Sequence, residues 1–121
     1  MRTPEIDFLW WEGCPSTEPA LAELRVALDE LGLADSELRI QEIETEAAAE
    51  ATGFLGSPTI LIDGADLVSI IAGDDPNAIA EPAGLHCRLY RRRDGRISPL
   101  PDPDDLREAL RRAAARDEVT P

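Results

Sequence analysis

FLGSPTILIDG, residues 54–64, is the stretch on which the fold turns. Residues 59–62 are β-branched or apolar and predict a strand, and Asp63-Gly64 behind them is a turn signal. The strand opens directly after Pro58, whose ring fixes its own φ and restricts Ser57 before it. Upstream, Gly53 terminates a short Ala-rich helix that Thr45 can cap, over residues 45–52. Before that, residues 37–43 (ELRIQEI) alternate and predict a half-buried second strand.

Further toward the N-terminus, Leu21, Leu24, Leu28 and Leu31 are spaced by three, four and three. This draws one apolar stripe on a helix ending near Gly32. Residues 5–11 (EIDFLWW) are almost continuously apolar, as expected of a central strand buried on both faces. Downstream, residues 65–84 are acidic with Pro and Gly, and are expected to form a surface loop or insertion. Residues 85–92 set apolar Leu85, Cys87 and Leu89 against His86, Arg88 and Tyr90, predicting a strand turned by Asp94-Gly95. Residues 101–118 predict a helix capped by Asp102 or Asp104, with acids first and Arg toward its end. Residues 119–121 are expected to fray. The order strand, helix, strand, helix, strand, strand, helix predicts an α/β fold with a mixed four-stranded sheet flanked by helices. No repeat or linker divides residues 1–121, so one domain is expected.

The 121 residues carry a net charge of −13, from 25 acids against 12 bases. That surface repels nucleic acid and anionic membrane, so neither is expected as a partner. All the bases are Arg, which excludes a Schiff-base lysine or a lysine general base; with Ala, Asp and Pro it suggests a GC-rich genome. No run of 18 apolar residues is present and MRTPEIDF lacks a signal-peptide core, so a cytoplasmic protein is expected. Cys14 and Cys87 are too few for a secreted disulfide framework. With His86 as the one histidine, no metal site is expected. Arg88, Arg91, Arg92, Arg93 and Arg96 read as a solvated hairpin face. Trp10, Trp11 and Phe54 read as core, although Trp11 stands close enough to Cys14 to line a groove.

WWEGCPST, residues 10–17, carries the candidate chemistry. Cys14 stands where a strand gives way to a helix, and helix N-terminal amides favour the reactive thiolate. Pro15 and Pro19 are compatible with a helix starting at Ser16 or Thr17, which leaves Cys14 just outside it, where the dipole's support weakens. Thr17 can donate a hydrogen bond to a Cys14 thiolate or cap the helix.

Cys14 after the first strand, with Ser57-Pro58-Thr59 opening the third, resembles the thioredoxin-like superfamily over roughly residues 5–115. EGCP, GSPTILIDG and CRLYR before a DG turn are similar to short bacterial thioredoxin-family proteins sometimes labelled alkylmercury-lyase-like. The resemblance implies a thioredoxin-like fold and redox chemistry by thiol–disulfide exchange, with Cys14 as nucleophile facing a cis-proline at Pro58. It also implies loop main-chain groups left open for an extended substrate, and binding contacts from Trp11, Ser57 and Thr59. Thr17 departs from the two-cysteine pattern, so C-x-x-T implies a monothiol site without a cofactor. Its thiol or disulfide partner would be glutathione, another small thiol or a protein. Two alternatives stay open: a non-catalytic interaction module, and alkylmercury-lyase-like cleavage or thiophilic-metal binding by Cys14 with Cys87. The second needs two sulfurs together. The predicted strand order puts Cys87 at the end of the sheet remote from Cys14, which makes a core cysteine the default for it. Asp7 lies seven residues before Cys14, where the family usually spaces its buried acid by six. An odd shift reverses the strand face, so that role is not assigned.

Overall fold

β1 (Ile6–Trp10) forms because Ile6, Phe8 and Trp10 favour a strand and no Gly or Pro interrupts the run, and it stands inside a four-stranded sheet. The computed structural model describes residues 3–15, 17–72, 84–86 and 88–119. α1 (Thr17–Glu30), β2 (Leu38–Glu42), α2 (Glu46–Thr52) and β3 (Thr59–Ile62) follow in chain order. Then come β4 (Ala65–Asp66), α3 (Leu67–Ala72), β5 (Tyr90–Arg91), β6 (Ile97–Ser98) and α4 (Pro103–Val119). The sheet order is β2-β1-β3-β4, with β1 parallel to β2 and antiparallel to β3, and β5 and β6 pair separately. The result is an α/β fold with a mixed four-stranded sheet and a small hairpin.

Side-chain parity divides the core. Ile6 and Phe8 of β1 join Ile60 and Ile62 of β3 in one buried cluster. Ala20, Leu24, Ala27 and Leu28 of α1 cover it, with Leu106, Ala109 and Leu110 of α4. Leu9, of opposite parity, packs with Ile43, Ala49 and Phe54 in a second cluster. β1 is therefore covered on both faces, as its sequence predicts. The helical stripe is shifted: Ala20, Leu24, Ala27 and Leu28 are buried, whereas Leu21 and Leu31 pack only at its margin.

Local signals place the short elements. Thr45 caps α2 by accepting from the Ala48 N–H at 3.0 Å, and Gly53 ends it in the left-handed conformation. Asp63 and Gly64 both have positive φ, as the turn between β3 and β4 requires. At α4, the Asp102 carboxylate accepts from Asp104 N–H at 2.8 Å, identifying Asp102 as the cap. Pro103 then occupies the first helical position, where no donor is lost.

Three expectations are corrected. Residues 65–72 are not an irregular insertion: they form β4 and α3. β4, and not residues 85–92, is consequently the fourth strand of the sheet. A two-residue strand and a six-residue helix are too short to show a period in sequence. The rest of that expected insertion, 73–83, lies outside the described residues. Among the described residues of 85–92 only Tyr90 and Arg91 form a strand, and the faces are reversed: Arg88 and Tyr90 are buried and Leu89 is 63% exposed. Alternation separates two faces without saying which one is covered. Here the covered face carries a guanidinium because partners await it. In β2, Ile40 is exposed despite the alternation, because the strand lies at the sheet edge.

Candidate functional site

The chain leaves β1 through a turn in which the Cys14 N–H donates to the Trp11 carbonyl at 3.2 Å. The Trp11 ring lies across Gly13, so closely that a Cβ there would stand 2.3 Å from it. Only glycine leaves the ring room in this position. α1 starts at Thr17, which keeps Pro19 within the first turn and Cys14 just before the helix. Thr17 Oγ1 donates to the Cys14 carbonyl at 3.4 Å, so its recorded contact ties the turn to the helix through the main chain.

Opposite lies loop 54–58. The Ser57–Pro58 peptide is cis. Cys14, 5% exposed, donates from Sγ to the Ser57 carbonyl at 3.5 Å. Ser57 Oγ in turn accepts from the Trp11 N–H at 3.1 Å. Thr59 Oγ1 serves its own loop, donating to the Gly56 carbonyl at 2.6 Å and accepting from Leu55 N–H at 3.0 Å. Of the sequence-predicted residues, Trp11, Cys14 and Ser57 are thus joined directly. Thr17 reaches the group through the Cys14 carbonyl, and Pro58 and Thr59 complete the buried loop.

That loop does not offer its main chain to a ligand, contrary to expectation. The Ser57 N–H donates to the His86 carbonyl at 2.8 Å, and the Ser57 carbonyl accepts from Arg88 N–H at 2.9 Å. The Pro58 carbonyl accepts from the Tyr90 hydroxyl. Residues 86 and 88 therefore lie at the Cys14 end of the sheet, and the expectation that this segment begins at the remote end is corrected. The reason is the substitution of β4 for residues 85–92 in the sheet, which leaves the later segment to run beside the loop. Cys87 itself lies outside the described residues.

Arg88 holds this seam. It is 1% exposed and grips Asp66 with two parallel bonds, of 2.6 Å and 2.8 Å. Its guanidinium also lies over the Tyr90 ring, 4.8 Å from the centroid, and bonds the Tyr90 hydroxyl at 3.4 Å. A buried charge needs such a set of partners. His86 Nε2 stands 3.1 Å from the Leu55 carbonyl, an arrangement that requires the proton on that nitrogen. Gly56, with φ of 115°, admits the segment: a Cβ there would come within 2.9 Å of His86. Arg88 was thus misassigned to a solvated face, and Asp66, Tyr90, Gly56 and Gly13 are contributors that sequence reading missed. The one available signal was Tyr90 two residues after Arg88, which places both on one face.

Charges elsewhere are separate from this group. Asp7 binds Arg39 of β2 at 2.7 Å and 3.1 Å, and that contact raises the guanidinium pKa further. Burial pushes the Glu23 carboxyl up, partly offset by Arg92. Burial acts to raise Asp102 as well, but the N–H groups of Arg93 and Asp104 outweigh it and hold the carboxyl below its ordinary value. A cavity of about 420 Å³ between α3 and the hairpin is lined by Leu67, Ile71, Tyr90 and Arg92 among others, and touches the seam only through Tyr90. Among the described residues, no group of three or more His, Cys, Asp or Glu stands together as a metal site. No helix among them is long and apolar enough to cross a membrane.

Comparison with protein-family models, curated proteins and solved structures found no match in any of the three.

Proposed function

We propose that the protein is a thioredoxin-like monothiol exchanger in which Cys14 is the nucleophile. The observation that supports this best is the contact of Cys14 Sγ with the carbonyl of Ser57, directly before Pro58. It sets the sulfur between the start of α1 and the proline loop, the two parts that the sequence resemblance pairs. Loss of the thiol proton breaks the bond to Ser57 and frees a sulfur lone pair. The thiolate then attacks one sulfur of a disulfide R–S–S–R. The Cys14–S–S–R bond forms as R–S⁻ leaves and takes a proton from water. A second small thiol, R′–SH, loses its proton and attacks the sulfur carrying R. That step releases the Cys14 thiolate and R–S–S–R′, so no external oxidant or reductant is needed.

The burial of Cys14 and the internal pairing of loop 54–58 favour a second reading, a thioredoxin-like scaffold that binds a partner without chemistry. Intact mass after incubation with glutathione disulfide separates the two. One glutathione adduct mapping to Cys14, absent from Cys14→Ser, is expected for the exchanger. An unchanged mass would leave the scaffold. Loss of two hydrogens without an adduct would assign the second step to Cys87 and revive two-sulfur chemistry, including the alkylmercury-lyase-like alternative.

A further inference from the structure

We infer that the site takes compact, low-molecular-weight disulfides and thiols and turns away extended polypeptide chains; this rests on the exchange reading above. A peptide that docks beside a strand gains affinity mainly from main-chain hydrogen bonds. Ser57, the residue whose carbonyl meets Cys14, has its N–H committed to His86 and its carbonyl committed to Arg88. Pro58 has no N–H, and its carbonyl is taken by Tyr90. β3 beyond it is paired along its whole length with β1 on one side, and β4 takes Leu61 and Ile62 on the other. The chain's own segment therefore fills the position that an incoming strand would need.

That segment is costly to displace. Pulling Arg88 away from Ser57 would disturb a guanidinium that is 1% exposed and doubly bonded to Asp66. A peptide could return only the two main-chain bonds it replaced. Access points the same way: Ser57 and Thr59 are fully buried and Cys14 is 5% exposed, with the Trp11 ring folded over Gly13 beside it. A slender disulfide requires only that one sulfur reach Sγ, with no main-chain pairing.

The test compares glutathione disulfide with the disulfide of a flexible cysteine-containing peptide, using wild type and Cys14→Ser. Each rate is normalised to that of free cysteine with the same disulfide. The Cys14-dependent, normalised rate should be at least about tenfold higher for glutathione disulfide, a difference of about 1.4 kcal/mol. Equal rates, or a faster reaction with the peptide, would overturn the inference while leaving exchange at Cys14 intact. If Cys14→Ser matches wild type with both disulfides, the exchange reading fails and the inference with it.

Discussion

Around β1 and β3 the buried side chains are Ile6, Phe8, Ile60 and Ile62, packed on α1 and α4. Where loop 54–58 meets His86, Arg88 and Tyr90, the buried groups include Ser57, Arg88 and Tyr90, held by hydrogen bonds and an ion pair. Apolar contacts are non-directional, so the first region can adjust to a small change of shape. The second cannot adjust in the same way, because each polar group left behind after a loss is stranded without water. The lesson is that the site is anchored by its less forgiving half. The sheet supplies position, and the seam supplies the detailed placement of Ser57 against Cys14.

The sharpest way to break this contrast is to remove one ion from the seam. Asp66→Ala should cost about 3–5 kcal/mol in denaturant unfolding, because Arg88 would keep a buried charge without its carboxylate. Ile62→Val in the apolar cluster should cost only about 0.5–1.5 kcal/mol. Comparable losses would contradict the division. Gly13→Ala should come next, at about 1–1.5 kcal/mol, the low end for overpacking, since Gly13 is exposed and the half-buried Trp11 ring can swing outward from the new methyl group. A red shift of tryptophan emission would report the movement, and an unaltered spectrum with unchanged stability would count against the packing described.

The smallest effect belongs to the α4 cap. Asp102→Ala should lose about 1 kcal/mol at neutral pH. The native carboxyl lies below its unfolded value, so its contribution is present above that value and lost as pH falls through the folded one. The gap between wild type and variant should therefore hold from pH 7 to about 5 and narrow below about 4. A gap independent of pH would show that the carboxylate charge is not what stabilises the cap.

How far these regions can be read from sequence follows from their physics. Thr45, Gly53, Asp63 and Gly64 are local signals, and the elements they bound fall where expected. β1 and β3 are similarly clear, because a continuous apolar run must be buried wherever the chain goes. Cys14 and Ser57-Pro58 were legible as a pair through their place in the order of elements. The seam was not legible, because Arg88 and Asp66 are charged residues that usually face water, and 22 positions separate them. Only the tertiary fold shows that each is the other's partner. The same holds for Gly13, whose need for a bare Cα arises from a side chain two residues earlier.

The most direct test of the central claim is sustained turnover of glutathione disulfide with a second small thiol, measured for wild type, Cys14→Ser and Cys87→Ser. The monothiol account predicts that Cys14→Ser falls to the uncatalysed rate while Cys87→Ser keeps turning over. Turnover that survives in Cys14→Ser, or disappears in Cys87→Ser, would contradict it.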